Sequence, residues 1–366
     1  MSIEILGLFT HRPGAEHKPK PMSDFDLPFL TKLVQDYDKN GYDRMLVANA
    51  ATWPDSIPFA AYIAGITERV GFMIAHRPGF VPPTMAARML TTIDRVSNGR
   101  CAVHIITGAN DKEMEADGDF TKKVDRYARS AEYVDVLRKM WTSDKPFDHA
   151  GDFYKFNGAF SALKPYRPEG IPVFWGGSSP ESLLHAGRCA DVYAMGIDTI
   201  ARTDAIFNKV REHAAVHNRC PKFLLSLRLL IGDTEQAAWD KAANILEGVV
   251  ANLAVGQQTA INTKPTERYA ELCKLDERLD NRLWTGITKV TNGTKAVTCL
   301  VGTAEQVVDE LVRYYDIGVS HFLMTGFDYE NDPTELGRTV IPMLRERVKG
   351  RVPKDVIAPA LAATGT

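Results

Sequence analysis

At 366 residues, with 45% hydrophobic and 25% charged residues, the chain has the composition of a globular protein able to bury a large core. Its formal net charge of −2 comes without any basic run, so composition supplies no reason to expect nucleic acid or an anionic membrane as partner. Five scattered cysteines (Cys101, Cys189, Cys220, Cys273 and Cys299) form no CxxC pair, which predicts reduced thiols in the cytoplasm and argues against a disulfide framework or a zinc site.

Ile3–Phe9 reads as a strand ending at Thr10-His11, not as a signal peptide, and no apolar run is long enough to span a bilayer. A loop rich in Pro and Lys, Pro13–Pro28, precedes a helix over Phe29–Lys39 closed by Asn40-Gly41. Strand and helix then alternate. Met45–Ala48 ends at Asn49 and is followed by the helix Ser56–Thr67. Gly71–Ala75 ends at His76-Arg77 and precedes the helix Thr84–Val96, and Cys101–Ile106 ends at Thr107-Gly108 before the long helix Arg126–Trp141. Lys145–Pro168 breaks the rhythm, because its aromatics alternate with turn residues; a small β excursion is expected there.

The next unit is PVFWGGSSPE (172–181): a short apolar strand, two glycines that let the backbone approach a ligand, Ser179 as N-cap and Pro180 at the first helical position. A helix N-terminus beside the Ser178 and Ser179 hydroxyls suits a phosphate. It is also a serviceable βα turn with no ligand at all, and GGSS is far less specific than a Walker loop. Asp191–Met195, Phe223–Ile231 and His321–Thr325 complete a set of eight strands, with helices at Thr203–His217, Thr303–Tyr315 and Glu335–Val348. A departure over 232–300 contains two helical stretches and the polar segment Gly286–Lys295, expected to act as a mobile lid.

This alternation predicts an α/β fold, a (β/α)8 TIM barrel over residues 1–348 with insertions near 145–170 and 232–300 and a tail at 349–366. A doubly wound sheet is the competing architecture, weakened by the missing GxGxxG after the first strand. Barrel chemistry sits at the C-terminal ends of the strands, which here carry His11, Asn49, His76, Thr107, Ser178, Ser179 and Arg228. Arg228 lies inside LLSLRLLI, where an unpaired guanidinium would be very costly, so an anionic ligand is expected for it ahead of a structural salt bridge. His, Cys, Asp and Glu do not cluster at metal-ligand spacing and no GxSxG occurs, so metallohydrolase and serine-hydrolase readings are weak.

Taken in order, LFTH (8–11), HRPGFVPPTMAARMLTTIDRVSNGR (76–100), HIITGANDKEMEADGD (104–119), RYARSAEYVDVLRKMW (126–141), PVFWGGSS (172–179), SLRLL (226–230) and LWTGI (283–287) resemble the bacterial-luciferase-like flavin monooxygenases, most closely their alkanesulfonate monooxygenase branch. The resemblance runs from residue 1 to about residue 348. It implies a luciferase-like TIM barrel that binds reduced FMN supplied by a separate NAD(P)H-dependent flavin reductase, uses O2 to oxygenate a small organic substrate, and assembles as a homodimer or homotetramer. Carried over by position, flavin contacts fall on Asn49, His104, Glu113, Arg126, Tyr127 and Ser179, with His104 standing where relatives often have Asn. Thr107 and Ser178 join them as strand-end neighbours, and Arg228, His11 and His76 are the candidate catalytic side chains.

The substrate half departs from the sulfonate enzymes. Arg228 is retained, but Met195, Leu230 and Phe327 replace their Trp, His and Tyr, and TNGTK with Lys295 stands near their lid Arg. Two other readings stay open: an F420-dependent oxidoreductase of the same fold, and a non-catalytic flavin-binding protein.

Overall fold

The computed structural model describes residues 2–353 apart from 22, 109 and 255–266, so residues 255–266 of the second insertion and 354–366 of the expected tail lie outside the described residues. Eight parallel strands close into a barrel: β1 (Glu4–Phe9), β2 (Arg44–Val47), β3 (Gly71–His76), β4 (Cys101–Ile105), β5 (Val173–Gly176), β6 (Val192–Gly196), β7 (Lys222–Ile231) and β8 (Val319–Thr325). Closure comes from β8, which pairs with β7 on one side and β1 on the other. Helices return the chain between strands and cover the outside, so each strand is covered on both faces and reads as a near-continuous apolar run.

Side-chain alternation sorts each strand into an outer and an inner face. Outward residues such as Met45, Ile74, Val103, Trp175 and Phe223 join the helices in the main core. Inward residues form a second cluster with members from every strand, Leu6, Leu46, Met73, Ala102, Phe174, Val192, Leu224 and Leu323 among them. Below this girdle Glu4 points between Arg44 and His321, each 3.6 Å away. Burial opposes ionisation of Glu4, but the His321 hydrogen bond and the Arg44 charge outweigh it and lower its pKa to about 2. Above the girdle Leu8, His104, Gly176, Ser226 and Arg228 continue the inner face and are only half-buried. The barrel is therefore sealed at its N-terminal pole and open at its C-terminal mouth.

Several elements differ in detail from the sequence reading. The last helix is two, Asp332–Arg338 and Val340–Val348, broken at Thr339. The excursion after the long helix Lys123–Thr142 is an antiparallel hairpin, Phe147–Ala150 with Lys155–Ala159, pinned where Glu132 accepts the backbone N–H groups of Phe153 and Tyr154. In the second insertion the strand Cys299–Gly302 lies parallel to the upper end of β7, with Cys299 opposite Arg228. The segment expected to act as a mobile lid carries a short helix, Gly286–Val290, and a turn: buried Thr288 donates to the Val297 carbonyl (2.7 Å) and Thr291 to that of Ile287 (2.8 Å). Those threonines satisfy their hydroxyls locally, which a polar tally of the segment cannot reveal.

Candidate active site

The turn after β5 is built from the inside. Trp175 Nε1 donates to Ser182 Oγ (3.1 Å), Ser182 donates to the Gly176 carbonyl (2.9 Å), and Tyr193 donates to the Gly177 carbonyl (2.8 Å). Gly177 has φ +113°, and a Cβ there would stand 2.5 Å from Ser182 Oγ and 3.1 Å from the Tyr127 hydroxyl. Only glycine fits, and Tyr127 is brought against the turn. Ser179 caps the helix Pro180–Cys189 by accepting from Ser182 N (3.3 Å), as its position predicts.

Arg126 joins this corner from the start of Lys123–Thr142. It is 1% exposed and donates to the carbonyls of Thr121 (2.6 Å) and Gly108 (3.1 Å) and to Asp111 Oδ1 (2.7 Å), while its Nε has no partner. Thr107, one residue before Gly108, holds a buried Oγ1 that also lacks a partner. On the neighbouring strand His104 lies on the inner face of β4 against Gly176, where a Cβ would come within 3.1 Å of its Cε1. Burial lowers the His104 pKa to about 4, so the imidazole is neutral. Thr107, Arg126, Tyr127, Ser178 and Ser179 thus converge on one side of the mouth and His104 on its wall.

The other candidates are placed differently. His76 follows inward-facing Ala75 and so points outward, into the helix layer. Tyr133 gives its single proton to the Val81 carbonyl (2.9 Å), so the 2.7 Å contact between His76 and that hydroxyl is donated by His76 Nε2. His76 and Asn49 line a separate cavity of about 380 Å³ with Trp53, Arg77, Phe80 and Val81. Glu113 pairs with Arg77 and accepts from Ala51 N (3.0 Å), holding the loops after β2 and β3 together. His11 is buried edge-on to Trp53, ring centroids 5.6 Å apart.

Arg228 carries the main correction to the sequence argument. It is inward-facing at the mouth, but its guanidinium is not waiting for an anion. Nη2 donates to Glu16 Oε1 (2.7 Å), Nη1 to the Gly326 carbonyl (2.8 Å), and the group stacks 4.6 Å from the Phe327 ring. Glu16 sits in the loop after β1, and no periodicity or motif marks it as a partner for a residue so distant in sequence. Arg268, at the mouth by β6, was missed for the same reason: it donates to the Gly196 carbonyl (3.0 Å) and pairs with fully buried Asp198 (3.3 Å). Met195 belongs to the outer core, whereas Leu230, two residues beyond Arg228 on the same strand, clusters with Trp284, Ile287 and Phe327.

Residues 1–321 match the sequence profile described as luciferase-like monooxygenase. The chain belongs to the luciferase-like monooxygenase family. Solved structures similar to this family member include a riboflavin lyase with modified FMN and riboflavin (17% identity, TM-score 0.76, covering 95% of this chain and 92% of that one). The EDTA monooxygenase of Chelativorans sp. BNC1 is similar too (19%, 0.76, 95% and 94%). So is an F420-dependent secondary alcohol dehydrogenase with an F420-acetone adduct (16%, 0.68, 94% and 99%). At these identities the likeness bears on the fold. Among the described residues no helix is long and apolar enough to cross a membrane, and no cluster of His, Cys, Asp and Glu has metal-binding geometry.

Proposed function

We propose that this chain, as one domain over residues 1–348, is the oxygenating component of a two-component, FMNH2-dependent monooxygenase. The observation that carries the reading is the half-buried inner face above the girdle, adjoining a glycine turn that opens a helix N-terminus. That N-terminus turns the positive end of a helix toward one phosphate, with the Ser178 and Ser179 hydroxyls beside it. Tyr127 and Arg126 flank it, and Arg126 Nε and Thr107 Oγ1 are buried atoms that lack partners in the protein. His104 and Gly176 form a neutral wall for a flat ring, and Asn49 lies apart, in the cavity it shares with His76. These groups fit a mononucleotide flavin.

Bound FMNH2 supplies the electrons with which O2 oxygenates a substrate; the protein orients the reactants and excludes water. A separate NAD(P)H-dependent reductase, a cytoplasmic setting and a homodimer or homotetramer belong to the same proposal. On the substrate side, Arg228 faces a compartment with Phe327, while His11 packs against Trp53. The compartment suits a molecule with an apolar body and one polar handle better than the small anions of the alkanesulfonate branch, whose set of donors is largely replaced here. The F420-dependent neighbour keeps a second reading alive, hydride transfer without O2. Anaerobic titration with FMNH2, FMN, FAD and F420, followed by O2 uptake, decides between them. The expected order places FMNH2 first; tightest binding by F420 with no O2 uptake overturns the proposal.

A further inference from the structure

The corner around Arg228 holds more than one charge. Glu16, from the loop after β1, reaches across the mouth to the guanidinium at 2.7 Å, and both side chains are mostly buried, at 17% and 15% exposure. Asn252 donates to the Glu16 carbonyl (3.1 Å) from the helix Glu235–Ala254, which fixes the loop there. The next residue, His17, stands edge-on to Phe327, with centroids 6.0 Å apart. Lys295 lies within the field of both Glu16 and Arg228, and Asp332 within that of Arg228. Burial pushes the Asp332 carboxyl up to about 7, so Glu16 is the carboxylate that answers Arg228, with Lys18 and Asp328 as further charges about His17.

Two polar atoms in this corner are left over. Glu16 Oε2 is buried with no hydrogen-bond partner, and so is His17 Nδ1. A carboxylate oxygen can only accept, so what Oε2 lacks is a donor. A free anion is poorly served here. An anion that takes over the Nη2 contact displaces Glu16 and leaves a buried carboxylate without its cation, which is the costlier arrangement. A neutral or cationic donor instead meets Oε2 while the pair stays whole.

We propose that Glu16 sets the charge class of the substrate: the handle that docks at Arg228–Glu16 is a hydrogen-bond donor, an amide, hydroxyl or ammonium group, and not a sulfonate or carboxylate. This rests on the reading of the mouth as the substrate compartment, and it narrows that reading. Residues Phe327 and Tyr329, whose rings lie 4.6 and 5.8 Å from the guanidinium, supply an apolar wall for the body behind the handle.

The test uses three probes of one tail length, n-hexanamide, n-hexylamine and n-hexanesulfonate, titrated calorimetrically into wild-type protein and Glu16→Gln. Wild-type protein is expected to bind amide and amine at least about tenfold more tightly than sulfonate. Glu16→Gln keeps size and shape but removes the charge, and is expected to shift the ratio toward sulfonate by about tenfold or more. A merely structural Glu16 would alter stability without moving that ratio, and Glu16→Ala, with thermal melts of each variant, guards against a folding effect. Tighter sulfonate binding by wild-type protein, an unmoved ratio, or no measurable binding of any probe overturns the proposal. FMN titrated into the same preparations reports separately on the flavin reading, because Glu16 lies outside the proposed phosphate corner.

Discussion

His76 is a buried imidazole committed to one hydrogen bond, and its behaviour with pH follows from that. Burial lowers its pKa from 6.5 to about 4. The unfolded chain takes up this proton as pH falls through 6.5, whereas the folded chain resists until about 4, so the unfolded state binds more protons in between. Stability contributed by neutral His76 is thus complete above roughly pH 6.5 and lost as pH falls toward 4, by up to roughly 3 kcal/mol. Urea unfolding between pH 7.5 and 4.5 should show the slope, and His76→Phe should flatten it; an unchanged slope would mean that other groups dominate. The same residue shows where sequence reading ends. That a polar side chain closes β3 was legible, but whether it faces the axis or the helices depends on strand parity relative to Ala75, which only the closed barrel fixes. Arg228 has the same lesson in a different form. Its burial and the cost of leaving it unpaired were legible, whereas its partner Glu16, on a Pro-rich loop with no periodic signal, was not.

Among the elements, the turn between β5 and its helix was the most legible, because glycine, N-cap serine and N1 proline each act locally and need no distant partner. What sequence could not supply is the lattice beneath it, from Trp175 through Ser182 to Gly176 and from Tyr193 to Gly177. That lattice makes a sharp prediction for Gly177→Ala. The new methyl meets Ser182 Oγ at 2.5 Å in a backbone conformation of φ +113°, so the turn must shift. Stability should fall by about 1–3 kcal/mol in a thermal melt. FMNH2 affinity should fall by more than about tenfold, since the helix start and serines proposed for the phosphate move with the turn. Gly65→Ala, at an exposed position of the helix Ser56–Ile66 with nothing within 4 Å of the new Cβ, is the control. It should gain roughly 0.5–1 kcal/mol and leave flavin binding alone. Equal FMNH2 affinity in both variants would detach the turn from the cofactor.

Over the whole molecule, the inner face of the barrel changes character along its axis: charged at the N-terminal pole, apolar at the girdle, small and polar at the mouth. The eight-fold rhythm of strands was legible because every strand carries an outer face for the helices, and that demand repeats in each βα unit. The axial gradient was not, since it emerges only when inward residues from eight separated stretches are stacked in layers. It predicts opposite outcomes for substitutions two residues apart on β7. Leu224 belongs to the girdle and is 1% exposed, so Leu224→Ala leaves a cavity and should cost about 2–5 kcal/mol of stability. FMNH2 affinity should be unchanged in that variant. Ser226 faces the half-buried mouth, where a larger side chain has room to stand without straining the core. Ser226→Leu should change stability by less than about 1 kcal/mol. Yet it should weaken FMNH2 binding by more than about tenfold, because its isobutyl group occupies the space proposed for the flavin ring. Melting curves and anaerobic titrations of the two variants separate the layers. If Ser226→Leu binds FMNH2 as tightly as the wild-type protein, the ring does not lie within the barrel mouth.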